Sequence, residues 1–297
     1  MNRRSKSFFF TIIFLAGFAT PSLGWGFYAH RLINYHAVFL LPSPLFGFFK
    51  IHIRYLADHA TDADSRRYAI REEAPRHYID LDRYRLPDSL QWPITWPMAV
   101  SVFGDDSLQQ HGIVPWWIFI MKFRLQKAFE KNDRDQILKI AADIGHYIGD
   151  AHVPLHATSN HNGQFTDQSG IHAFWESRLP ELFAEQEYDL ILSPAVYLRE
   201  PSSWIWERVL ESAASADTVL RVEKELSYAL NQDIKMAYEQ RNGIVIRNYS
   251  KRYASAYHDR LEGMVERRLR YSIHAVASFW LTAWVDAGQP ELPQKGP

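Results

Sequence analysis

The 297-residue chain is 47% hydrophobic and 14% aromatic, enough apolar material for a sizeable core and too much for a disordered protein. Its formal charge of −1 gives none of the basic field that a dedicated duplex-DNA binder needs. It has no cysteine, so disulfides, thiolate metal ligands and a cysteine nucleophile are all excluded, and any metal site must use His, Asp, Glu or backbone groups.

The first 24 residues read as an export signal. "MNRRSK" is a basic start, "FFFTIIFLAGF" is an apolar run of eleven residues, and "PSLG" breaks it with small residues. A membrane-spanning helix needs roughly 20 apolar residues, so this run is too short for an anchor. No cysteine is present to carry a lipid. Cleavage is expected after Gly24, with Ser22 and Gly24 at the −3 and −1 positions. The mature chain, 25–297, then begins at Trp25. It is expected to be exported, to a periplasm or out of the cell, with a charge of −4 once Arg3, Arg4 and Lys6 are gone.

From there the pattern is helical. "YAHRLINYHAVFLLP" and "FGFFKIHIRYLADHA" have apolar residues at helical spacing. Prolines and polar residues between about 75 and 112 predict an irregular or partly ordered connection. "IVPWWIFIMKFRLQKAFEKN" resumes as a helix with Pro115 in its first turn. "DRDQILKIAADIGHYIGDAHV" has Asp133 as N-cap and Pro154 just past its end. A helix capped by Ser169 is expected in "SGIHAFWESRLPELFAEQ". "SSWIWERVLESAASADTVLRVEKELS" is another, and one long last helix is expected from Tyr253 to a stop at Gly288. No segment alternates as a strand would. The expectation is an all-α single domain of packed long helices.

The histidines cluster rather than scatter. "HYIGDAHVPLH" holds His146, Asp150, His152 and His156, and "GIHAFWE" holds His172 and Glu176. His146 with Asp150, and His172 with Glu176, stand four apart on helices, so each pair shares a face. Two such pairs with His156 between them can supply more than one Zn²⁺, which takes imidazole and carboxylate and keeps a position open for water in catalytic sites. Upstream, His77 lies near Tyr78 and Asp80, with Asp58, Asp62 and Asp64 before it. The pattern does not choose among these acids. His52, His59, His111, His258 and His274 have no ligand-like neighbours in sequence.

Together these residues resemble the zinc-dependent phospholipase C and S1/P1 nuclease superfamily over essentially the whole mature chain. The motif H-x-x-x-D-x-x-x-x-x-H matches His146, Asp150 and His156, and the later H-x-x-x-E/D matches His172 and Glu176. D-x-x-R followed by H-[FY]-x-D matches Asp64, Arg67, His77, Tyr78 and Asp80. The arginine three positions on is what selects Asp64. The resemblance implies three zinc ions in an all-α fold. One would take Asp64, His77, His146 and Asp150, a second His156, His172 and Glu176. A third would take the free amine and carbonyl of Trp25, His30 and a bridging Asp150. A free α-amine, with pKa about 7.7–8.0, loses its proton to a metal near neutral pH. The implied activity is phosphodiester hydrolysis by a zinc-activated hydroxide, with Asp64 and Asp150 in the catalytic centre and Arg67 as a clamp on the transition state.

The substrate is a phospholipid or a single-stranded nucleic acid. Glu176 as last ligand, the short gap from His156 to His172 with no "GGN", the lack of cysteines and "PLHATSN … GIHAFWE" are similar to the bacterial phospholipase C branch. The loop "SNHNGQFTDQ" has no obvious apolar lipid-binding surface, and Tyr78 and Asp80 could hold a nucleobase by stacking and hydrogen bonding, which leaves S1/P1-type endonuclease as the alternative. A secreted zinc-binding protein without activity is a third reading, opposed by the intact ligand set. No obligate protein partner is evident. Protein left uncut at Gly24–Trp25, or carrying an N-terminal tag, is expected to bind one zinc fewer and lose most activity. An uncut form that keeps three zincs would make Trp25 a packing residue only.

Overall fold

The computed structural model describes residues 26–92, 94–241 and 243–292. The leader and Trp25 fall outside them. Helices run in chain order as α1 (Phe27–Ala37), α2 (Ser43–Ile51), α3 (Ile53–Asp58) and α4 (Asp62–Arg66). They continue as α5 (Trp96–Phe103), α6 (Asp105–His111), α7 (Val114–Glu130) and α8 (Arg134–Ala151). The rest are α9 (Ile171–Ala173), α10 (Leu179–Glu187), α11 (Pro201–Ala229), α12 (Lys251–Arg260) and α13 (Met264–Asp286). The architecture is all-α apart from one hairpin, β1 (Met236–Arg241) paired antiparallel with β2 (Ile244–Tyr249).

The core forms where α13, α7, α8 and α1 pack on one another, with α11 closing the far side. Trp280 on α13 stacks on Phe49 and donates its indole N–H to the Ala141 carbonyl, at 3.1 Å, on α8. Helix starts follow local chemistry. Asp133 accepts from the Gln136 N–H at 3.1 Å and caps α8, and Pro115 sits in the first turn of α7.

Four expectations need correction. The last helix is two, because Gly263 at φ 73° breaks the chain between α12 and α13. Ser169 is not a cap: α9 starts after Gly170, which is left-handed, and no side chain caps it. The stretch from 75 to 112 holds α5 and α6, and its aromatics pin it down: Trp92 stacks on Trp206 of α11 at 4.3 Å, and Tyr84 meets Phe103 at 4.8 Å. The hairpin was not expected. The sequence between the strands reads Asn-Gly, a hairpin signal, but only β2 ("IVIRNY") has β-branched residues to support it.

The approach of α1 to α8 positions the later chemistry. Asn34 on α1 is buried and donates to the carbonyls of Leu56 (3.0 Å) and Ala142 (3.2 Å), joining three helices. A Cβ on Gly145 of α8 would collide with the Asn34 side chain, and one on Gly149 would stand 3.0 Å from His30 Nδ1. Gly→Ala on an open helix surface gains up to about 1 kcal/mol. Gly145→Ala is expected to do the reverse, costing about 2–4 kcal/mol through overpacking and loss of the Asn34 bonds. Urea denaturation checks this, and an unchanged or raised midpoint would show that α1 can retreat freely.

Candidate metal centre

Eight ligand-type side chains meet inside the helical core. His30 comes from α1 and Asp64 from α4. His77 follows a short 3₁₀ turn, Arg71–Arg76. His146 and Asp150 come from α8, His156 from the 3₁₀ turn Pro154–Ala157, and His172 from α9. Glu176 lies on a π-helical turn, Phe174–Arg178, inserted between α9 and α10. Such turns often mark functional positions, because the extra residue re-aims a side chain. All eight are buried.

Asp150 is the hub. Its Oδ2 lies 2.9 Å from His77 Nδ1 and 3.2 Å from His146 Nε2, and its Oδ1 lies 3.4 Å from His30 Nε2. Asp64 Oδ1 stands 3.7 Å from both His77 Nδ1 and His146 Nε2. A separate set joins His172 Nε2 to Glu176 Oε2 at 2.9 Å and His156 Nε2 to the same oxygen at 3.4 Å. His30, Asp64 and His146 also form a ligand-type trio. Donors about 2.0–2.2 Å from a tetrahedral zinc stand roughly 3.3–3.6 Å apart. The observed separations straddle that value, so the residues fit the ion.

The hydrogen bonds outside the cluster fix which nitrogen faces in. The Nδ1–H of His146 donates to the Ala60 carbonyl (2.8 Å), that of His156 to His77 (2.6 Å) and that of His172 to His161 (2.9 Å). Each neutral ring is then left with a lone pair on Nε2. In the second set the two lone pairs face each other at 3.1 Å, beside the Glu176 carboxylate. Once Glu176 gives up its proton, three acceptors converge with no donor among them, an arrangement that a cation satisfies. Both oxygens of Asp64 and of Glu176, and both ring nitrogens of His30, are likewise buried without a hydrogen-bond partner.

Burial holds His30 and His172 at about 4, so both are neutral and able to ligate near pH 7. Burial also lifts Glu176 to about 8. On Asp150 burial works toward protonation, but the adjacent His146 and His156 outweigh it and hold the carboxyl well below its usual range. On His146 burial opposes the charge, and Asp150 and Asp64 raise it to about 9. A metal entering near neutral pH therefore displaces protons from His146 and Glu176.

The remaining sequence candidates take distinct places. Of the three acids before His77, only Asp64 is in the cluster. Asp62 is exposed and meets His59 at 2.7 Å, and Asp58 pairs with Arg31 at the surface. Arg67 is part-exposed, 3.6 Å from Asp64, and its charge is felt at Tyr78 and His172. Tyr78 and Asp80 are half-buried. The Tyr78 hydroxyl donates to the Gln110 carbonyl at 3.1 Å, and burial with Asp82 nearby lifts Asp80 to about 7. Trp25 lies outside the described residues; the next N–H, of Gly26, donates to the Glu176 carbonyl at 3.3 Å. His152 does not join. Its Nδ1 donates to the Ile148 carbonyl, at 2.7 Å, and its ring lies toward Trp204.

The sequence reading missed a charged layer behind His77. Glu73 is fully buried, accepts from Tyr147 and Arg76, and lies 3.7 Å from His77 Nε2. Arg66 bonds Asp143 (3.0 Å) and Tyr147 (3.2 Å) and lies 3.5 Å from Glu73. Burial acts against the charge on Glu73, but His77, Tyr147, Arg66 and Arg76 together hold it at about 2. A carboxylate behind a ligating imidazole fixes its orientation and raises its basicity. The one available signal was the i,i+4 spacing of Glu73 and His77.

No model of a known protein family matches this chain, and no curated protein matches it. Its fold is shared with the crystal structure of alpha-toxin of Clostridium perfringens, isolated from avian strain SWCP, at a TM-score of 0.50 and 12% identity. The likeness covers 91% of this chain and 65% of that one, so the chain spans somewhat under two thirds of its neighbour's length. At this identity the likeness speaks for the fold alone. Because Asp150 faces His30, His77 and His146 while His172 faces only His156 and Glu176, Asp150→Asn is expected to lose more zinc per molecule than His172→Ala, which should lose about one. Plasma emission analysis of dialysed protein reads both, and equal losses would show that Asp150 is not shared.

Proposed function

We propose that the protein is a zinc-dependent phosphodiester hydrolase of the phospholipase C type, exported and trimmed to begin at Trp25. The observation that carries the reading is the second ligand set, in which two imidazole lone pairs and a carboxylate face one point with every outer nitrogen already committed to a backbone carbonyl. The shared fold and the motif resemblance are consistent with it. Three zincs would be held by Asp64, His77, His146 and Asp150; by His156, His172 and Glu176; and by Trp25, His30 and Asp150. Bound zinc supplies positive charge for a phosphoryl oxygen and lowers the pKa of its water to about 7.

The chain's own residues then divide the work. Asp64 and Asp150 keep their carboxylates buried at the centre, where they would hold the ions. His77 is braced from behind by Glu73. Arg67, free to swing at the rim, can turn from Asp64 to a non-bridging phosphoryl oxygen and hold developing charge there. Tyr78 lies near it, with Asp80 two residues on, and these two would contact whatever group the phosphate carries.

Those two residues favour the second reading, a single-strand nuclease in which Tyr78 stacks on a base and Asp80 accepts from it. Assaying the purified zinc protein on phosphatidylcholine and on single-stranded DNA side by side separates the readings. Hydrolysis of the lipid, lost on chelation and restored by zinc, is expected. Cleavage of DNA alone would reverse the order, and no hydrolysis of either would leave a zinc-binding protein.

A further inference from the structure

The hairpin contributes no ligand to the metal site. Its register sets Tyr238 opposite Arg247 and Gln240 opposite Val245, so Tyr238, Val245 and Arg247 share one face. On that face Tyr238 is 76% and Val245 66% exposed, while Tyr249 at its far end is buried; at the tip Ile244, on the other face opposite Arg241, is 66% exposed. The opposite face is tied down through Glu239 to Arg178 and through Arg241 to Glu181 at 2.8 Å. Exposed aliphatic side chains at a turn cost the folded protein hydration without return, and here they sit beside an exposed tyrosine.

The local charge says what such a tip meets. From Met236 to Arg252 the chain carries Arg241, Arg247, Lys251 and Arg252 against Glu239 alone, a net of +3 in a protein whose total is −1. Glu239 is itself paired with Arg178. Aliphatic residues with tyrosine and flanking cations are the composition of a segment that settles into the headgroup layer of an anionic bilayer. Among the described residues no helix is long and apolar enough to cross a membrane, so the contact would be interfacial.

The hairpin is rigidly joined to the site. The Tyr249 ring stacks on Phe174 at 3.7 Å with 6° between planes, and Arg178 Nε donates to the Tyr249 carbonyl at 3.2 Å. Phe174 and Arg178 bound the π turn that carries Glu176. We propose that this hairpin is an interfacial anchor for anionic phospholipid bilayers, inserting Ile244 and Val245 between headgroups with Tyr238 and Arg247 at their level. Its use in catalysis rests on the phosphodiester reading, whereas the membrane contact itself does not.

Vesicle flotation tests it, using phosphatidylcholine vesicles with and without phosphatidylglycerol. The zinc-loaded protein is expected to float with the anionic vesicles and to detach as salt is raised. Ile244→Ser with Val245→Ser should weaken partitioning roughly tenfold or more, and Arg247→Gln about fivefold. Circular dichroism, zinc content and turnover of a monomeric, water-soluble phosphodiester should not change in either variant. Absence of wild-type binding, or binding untouched by both changes, overturns the proposal. So does a concentration-dependent dimer that the tip variants abolish, since the face would then belong to a second copy. Vesicle binding without hydrolysis would sink the catalytic reading and leave the anchor standing; hydrolysis without vesicle binding would do the opposite.

Discussion

Asp150 has no contact with solvent, and its two oxygens face the rings of His30, His77, His146 and His156 at 2.9–3.8 Å. An ionised carboxylate alone in such an interior costs several kcal/mol. Imidazole partners must therefore be brought to it from α1, from the loop after α4, from one turn back on α8 and from the turn that follows α8. Two backbone devices hold the more distant ones. His156 donates its Nδ1–H to the His77 carbonyl, and the Ile79 N–H donates to the His156 carbonyl at 2.9 Å. That pair of bonds locks two loops together across the site.

The remaining ring, His30, depends on how closely α1 can lie on α8. His30 stacks on His146 with ring centres 3.9 Å apart, and it does so opposite Gly149, one helical turn from Gly145. A Cβ at Gly145 would drive into the Asn34 side chain and one at Gly149 would press on the His30 ring, so either would work against the close approach of α1 to α8. Helix packing and ligand geometry are thus one constraint here: the residues that let the core close are also those that let α1 contribute to the site.

This explains which parts were legible in the sequence. His146 with Asp150, and His172 with Glu176, are set by helical period alone, so pattern reading finds them without knowing the fold. Choosing Asp64 over Asp62 needed the resemblance, because on a five-residue helix both acids have suitable neighbours and only tertiary packing buries one. Glu73, Tyr147 and Arg66 were invisible for a related reason. Tyr147 stands next to His146 in sequence, yet its partner Glu73 lies 74 residues away. The Ser169 cap failed because a left-handed Gly170 could start α9 without it. The hairpin escaped notice because β1 ("MAYEQR") has little strand character, and the ion pairs that hold it, to Arg178 and Glu181, reach across 61 and 60 residues of sequence.

The charged layer around His77 also bears on what the site can accept. Arg66 and Arg76 stand against Glu73 and Asp143, two cations with two acids, so the layer is close to neutral as a whole. It can orient His77 without quenching the centre. In the proposed reading, six positive charges from three zincs meet only Asp64, Asp150 and Glu176 among the ligands, and the surplus is offered to an anion entering at the rim. A phosphodiester of any kind answers that charge. Choice among phosphodiesters must then come from groups that touch what the phosphate carries, namely Arg67, Tyr78 and Asp80. It must also come from whatever brings the substrate to the rim. A lipid and a nucleic acid differ there far more than at the phosphorus. In that reading the ligand shell would set the reaction and leave the substrate to be settled by three half-exposed residues and one basic, apolar hairpin.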